Sequence, residues 1–199
     1  YNSITQQSTG YEDELELQRY THEYYQGAND IERDRVINRI FEIYRGKNIF
    51  PITYFNDDGV REEILKCIEK DVELRDGTLS FKYLQGIDLC KFLFPNLFFV
   101  QSGPAKHNSL YDKFMDDHKL KRAIKLVFDM KKGKYVNTTE LRNKLELISG
   151  NVATNFHPMK AKALYEKYCP PNGVIYDFSC GFGGRMLGAL SSKNNYTYY

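Results

Sequence analysis

Tryptophan is absent from this chain of 199 residues, and no run of about 18 apolar residues occurs, so no membrane-spanning helix is expected. There is no P-loop, no His-Glu-x-x-His and no Gly-x-Ser-x-Gly. Their absence removes the sequence signals for phosphate cradling, zinc-dependent hydrolysis and a nucleophile elbow. Cysteine is sparse: Cys67, Cys90, Cys169 and Cys180 form no Cys-x-x-Cys pair. The four histidines (His22, His107, His118, His157) are scattered. No metal is expected, and the thiols read as free in a reducing cytoplasm. No signal-peptide pattern, internal repeat or low-complexity stretch is present.

What is present is enough apolar residue for a core, 42% of the chain, with 16 tyrosines and 13 phenylalanines. The net charge of +2 conceals a split. Residues 11–34 carry eight acids against Arg19 and Arg33, while residues 119–144 carry nine bases against Asp129 and Glu140. Such asymmetry points to a polyanion partner or to a solvated helix surface.

The apolar spacing predicts a mostly helical N-terminal region over about residues 1–150. Residues 11–26 read as a helix. Asn29 with Glu32 is a capping-box pair opening a helix carried by Val36, Ile37, Ile40, Phe41 and Tyr44. Ile52–Phe55 and Leu97–Val100 read as short strands, and Asp76-Gly77 as a hairpin turn. A helix is expected after Asn56, another over 87–94, and a long one over 110–132, interrupted near Asp116-Asp117 and ended by Gly133. Ser102–Pro104 reads as a loop. Asn137 with Glu140 opens a further helix closed by Gly150, and Pro158 suits the first turn of a helix running to Tyr168.

The most specific stretch is Val174 to Leu190. A short apolar run ends in Asp177, a glycine turn follows (Gly181, Gly183), and Met186 to Leu190 reads as a helix. This is the strand, loop and helix that opens a nucleotide-binding α/β domain, with its ligand edge at the carboxyl end of the strand. The dinucleotide fingerprint is incomplete, since Met186 occupies the place of the third glycine. The acid lies before the glycines, which suits a ligand carrying an amine near the loop.

Asp177-Phe178-Ser179-Cys180-Gly181-Phe182-Gly183 resembles the first motif of class I S-adenosylmethionine-dependent methyltransferases, closest to the Asp-Pro-Phe-x-Gly-x-Gly form of DNA amino-methyltransferases. The aspartate and both glycines match; Phe178 and Ser179 replace the proline and phenylalanine. The resemblance covers residues 151–199. It implies a fold of the α+β or α/β class, in which a mostly helical N-terminal region (1–150) precedes the start of a Rossmann-like methyltransferase domain (151–199). It implies S-adenosylmethionine as cofactor, with Phe156, Asp177, Phe178, Ser179, Gly181 and Gly183 as binding residues. It also implies methyl transfer to nucleic acid, an exocyclic amine of a DNA base first among the acceptors.

The basic segment supplies Lys121, Arg122, Lys125, Lys131 and Lys132 as phosphate-contact candidates. No Asp/Asn-Pro-Pro-Tyr/Phe motif occurs, and Cys169-Pro170-Pro171-Asn172 lacks its acid or amide and its aromatic. The sequence reads as the N-terminal part of a longer protein, with the catalytic residues expected past Tyr199. Two other readings stay open: a nucleotide binder that is not a methyltransferase, and a non-catalytic DNA-binding or assembly module.

Overall fold

The computed structural model describes residues 11–74, 83–101, 109–130, 135–150 and 152–199. In chain order the elements are α1 (Tyr11–Arg19), α2 (His22–Gly27), α3 (Asp30–Gly46), α4 (Asp57–Glu69), α5 (Ile87–Leu93), α6 (Leu110–Met115), α7 (Asp117–Asp129), α8 (Thr138–Ser149), α9 (Pro158–Tyr168), β1 (Val174–Ile175), α10 (Gly184–Leu190) and β2 (Thr197–Tyr198). A 3-10 turn, Pro95–Phe99, follows α5.

Helix starts follow from side-chain oxygens that satisfy free amides. Asn29 and Glu32 cap α3 reciprocally, each bond 3.0 Å long. Asn56 accepts from the Gly59 amide at 2.8 Å, and Asn137 from the Glu140 amide at 2.9 Å. The interruption expected near Asp116 is real: its carboxylate accepts from the Lys119 amide at 3.1 Å, ending α6 and starting α7.

Other expectations are corrected. Residues 11–26 form two helices, because Thr21 accepts from the Tyr24 amide and caps α2. Ile52–Phe55 is not a strand: Pro51 has no amide to give, and the Ile52 amide turns back onto the Phe50 carbonyl at 2.8 Å. Leu97–Val100 is not a strand either, since Pro95 starts the 3-10 turn there. Asp76-Gly77, Ser102–Pro104 and Gly133 lie outside the described residues.

The chain divides into two compact units, each discontinuous. Residues Phe55–Leu97 group with Thr154–Tyr199, so the division differs from a single cut near residue 150.

The unit formed by Tyr1–Tyr54 and Phe98–Ala153 contains a helical core. In α7, Leu120, Ala123, Ile124, Val127 and Phe128 recur at helical spacing and are all buried. They meet Val36, Ile37, Ile40, Ile43 and Tyr44 of α3, and Leu141 and Leu145 of α8. Tyr25 stacks on Phe128 with ring centroids 4.2 Å apart, and Phe50 sits among Phe98, Tyr111 and Phe114.

The unit formed by Phe55–Leu97 and Thr154–Tyr199 contains α4, α5, α9 and α10, and the two-stranded parallel sheet of β1 and β2. Val174 pairs with Thr197 and Ile175 with Tyr198. A parallel pair needs a crossover, and α10 is that crossover. The strand-loop-helix read from the sequence is therefore present, together with one further parallel strand.

Candidate functional site

The site is built where β1 ends. The Tyr199 amide donates to the Ile175 carbonyl at 2.9 Å and the Asp177 amide to the Tyr199 carbonyl at 2.8 Å, so the two strands run on in register up to the acid. The chain then turns through Gly181 and Gly183, both left-handed, with φ of +63° and +79°. Gly183 has a second reason to be glycine: a Cβ there would lie 2.2 Å from the Phe94 ring. Gly181 has no such neighbour, its nearest being the Ser179 carbonyl at 4.0 Å, so the loop is open on that side.

The upstream segment meets this loop. Asn155 Nδ2 donates to the Phe182 carbonyl at 2.8 Å, and the Phe156 carbonyl packs directly against Gly184. The Phe156 ring, 40% exposed, lies 5.8 Å from the Arg185 guanidinium. Thus Phe156 and the Asp177–Gly183 loop, separate in sequence, form one surface. Phe178 is 88% exposed, and Ser179 and Cys180 are also exposed.

Asp177 differs from expectation in one respect. The sequence reading left its carboxylate for a ligand, whereas it is fully engaged here. Oδ1 accepts from the Ser179 amide at 3.1 Å and Arg185 Nη2 at 3.0 Å; Oδ2 accepts from Arg185 Nε at 2.7 Å and from the Tyr198 hydroxyl. A carboxylate has about four acceptor positions, and these donors fill them. The Arg185 fork, with help from Tyr198 and Ser179, holds the Asp177 carboxyl well below its ordinary value of 3.8. Burial and the adjacent carboxylate push the Tyr198 phenol upward. The stabilisation from Asp177 is therefore complete above the ordinary carboxylate range and is lost as the pH falls through its lowered value in strong acid.

Arg185 and Tyr198 were not singled out from the sequence. Arg185 carried a usable signal: a cation in the first turn of a helix opposes the helix dipole, so its presence there asks for a carboxylate nearby. Tyr198 is brought to Asp177 only by strand pairing.

The basic segment is dispersed by folding. Arg142 and Lys144 are buried, at 1% and 5% exposure, and do not belong to a solvated face. Lys119 pairs with Asp116 at 2.9 Å. Lys121 lies over the Phe41 ring at 4.6 Å. Arg122 and Lys125 are exposed on α7, while Lys131 and Lys132 lie outside the described residues. The acidic segment is also partly consumed: Glu16 takes Arg39 at 2.6 Å, and Asp13 takes Lys47 at 2.5 Å.

Comparison with known protein families, with curated proteins and with solved structures finds no match to this chain. Among the described residues no group of three or more histidine, cysteine, aspartate or glutamate side chains is placed to hold a metal ion, and no helix is long and apolar enough to cross a membrane. Cys67, Cys90, Cys169 and Cys180 are free thiols, the first two buried. Burial pushes Cys67 up to about 11 and Cys90 up to about 12, so neither is a thiolate near neutral pH.

Proposed function

We propose that the loop after β1 binds S-adenosylmethionine and that the protein takes part in methyl transfer to nucleic acid, an exocyclic amine of a DNA base being the first acceptor to test. The observation that carries the reading is the junction of Asn155-Phe156 with the glycine loop at the carboxyl end of a parallel strand. That edge is where α/β folds hold ligands. The open backbone at Gly181 and the exposed Phe178 and Ser179 leave room for a ligand there, and Phe156 offers an aromatic face. The bound cofactor would supply a methyl group on a sulfonium; the chain would supply position.

The occupied Asp177 sets a condition on this reading. A ligand amine must displace one of four donors, and the neutral Tyr198 hydroxyl is the least costly to remove. Calorimetry with S-adenosylmethionine, with NAD and ATP as controls, tests the whole reading. Selective binding is expected. Asp177→Asn should weaken it at least tenfold, while Tyr198→Phe should leave it unchanged or tighter. Preference for NAD or ATP would favour a different nucleotide binder, and no binding by a folded chain would make the loop a structural turn.

The acceptor class rests on the outer face of α7 with Lys121, Arg122 and Lys125. Each phosphate contact adds about 0.9 to the slope of log affinity against log salt. The triple alanine variant should therefore bind duplex DNA at least tenfold more weakly and lower that slope by about 2–3. An unchanged affinity and slope in a salt titration would remove this face from the proposal.

A further inference from the structure

The helical unit contains a cleft of about 550 Å³ that the methyl-transfer reading does not use. Small-molecule sites run from roughly 300 to 1,000 Å³, apolar in the main with a few placed polar groups. Ile49 and Ile52, at 3% and 5% exposure, give this cleft an apolar floor. Tyr135 brings an aromatic ring. The polar groups come from the start of α8. Asn137 spends its Oδ1 on the Glu140 amide at 2.9 Å, which leaves its Nδ2 to donate. Thr139 adds a hydroxyl and Glu140 a half-buried carboxylate.

We propose that this cleft binds a ribonucleoside, with the base on the isoleucine floor and the Tyr135 ring, and the ribose hydroxyls at Glu140. A flat heteroaromatic ring suits a floor of aliphatic carbon beside an aromatic face. The Asn137 amide donor supplies a partner for an acceptor on the base edge. A carboxylate accepts from vicinal hydroxyls, as acids do at ribose in other nucleotide sites. Glu140 stands in the first turn of α8, where the positive end of the helix already favours its charge, so a neutral ligand suffices. Its charge also disfavours phosphate, and no lysine, arginine or histidine is among the described residues lining the cleft to offset that.

The wall is rigid. Tyr44 is fully buried beside Thr138, and burial in the core pushes its phenol well above the usual tyrosine range. A cleft backed by packed core is preformed, so binding requires little reordering.

Calorimetry with adenosine, using 2′-deoxyadenosine and adenosine 5′-monophosphate for comparison, tests the assignment. Saturable one-to-one binding of adenosine is expected, at least fivefold weaker for each comparison ligand. Glu140→Gln should raise Kd for adenosine at least fivefold. Asn137→Ser should do the same while keeping the helix cap, since a serine oxygen accepts the same amide. Tyr135→Leu should raise Kd about threefold or more, and it serves if either of the others fails to fold. The glycine loop belongs to the other unit, and Asp177→Asn there should leave adenosine affinity unchanged. Absence of saturable binding would overturn the proposal, as would equal affinity for the deoxynucleoside or the nucleotide. A loss on Asp177→Asn with none on Glu140→Gln would also overturn it, placing adenosine at the glycine loop instead.

Discussion

Gly184→Ala is expected to destabilise the unit that carries β1 and β2 by about 3 kcal/mol, and to abolish ligand binding at the loop with it. A Cβ at position 184 would lie 1.8 Å from the Phe156 carbonyl oxygen and 3.0 Å from Asn155 Nδ2. The first of these is backbone, and the segment that carries it leads directly into α9, so it cannot swing aside as a side chain would. Gly188→Ala should act in the same direction, since its Cβ would meet Ala161 Cβ and the Pro158 carbonyl at 2.6 Å. Gly46→Ala is the contrast. Position 46 closes α3 with nothing within 4 Å of a built Cβ, so alanine there should be neutral or stabilise by up to about 1 kcal/mol. Urea denaturation of the three variants measures the difference. Equal stability of Gly184→Ala and the parent would show that α9 and α10 do not pack as described.

Lys162→Met is expected to cost about 3 kcal/mol although it removes a charge from the interior. Lys162 is 1% exposed, and its ammonium donates to the carbonyls of Cys67, Ile68 and Lys70 at 2.9, 2.9 and 2.7 Å. These carbonyls lie in the last turn of α4 and just past it, where no further amide of the helix can reach them. Burial lowers the Lys162 ammonium from its usual range. The desolvation is offset by three charge-assisted bonds and by the negative end of the helix. Methionine would fill the volume and leave all three carbonyls without that donor. A midpoint in chemical denaturation equal to the parent's would refute the capping role.

Local features of the fold were legible in the sequence because their physics is local. Asn29, Asn56 and Asn137 each cap within three residues, and Asp116 breaks a helix by the same bond. Ile52–Phe55 was not legible as irregular chain, because a short β-branched and aromatic run looks like a strand until Pro51 and the Phe50 turn are considered. Leu97–Val100 misled in the same way. The nine bases of residues 119–144 could be counted but not sorted, because residue type alone does not distinguish Arg122, exposed, from Arg142, enclosed by the core.

At the candidate site, the glycine loop and its place after a strand were readable, whereas Phe156 was named only through the family resemblance. The occupancy of Asp177 was not, because Tyr198 reaches it only through β1–β2 pairing. The close contact of Gly184 with Phe156 likewise depends on how α9 and α10 pack.

The interleaving of the two units has a consequence for synthesis. α3 is complete at Gly46, yet α7, which covers Ile40 and its neighbours, begins only at Asp117. At about 5–20 residues per second, the apolar stripe of α3 emerges from a ribosome several seconds before its cover exists. Residues of the other unit are made in that interval, and they in turn wait for α9 and α10. Neither unit can finish folding as a contiguous nascent segment, so the growing chain passes through a stage with two half-built cores. That stage is when holdase chaperones would have most to bind, and when truncated products would be most prone to aggregate.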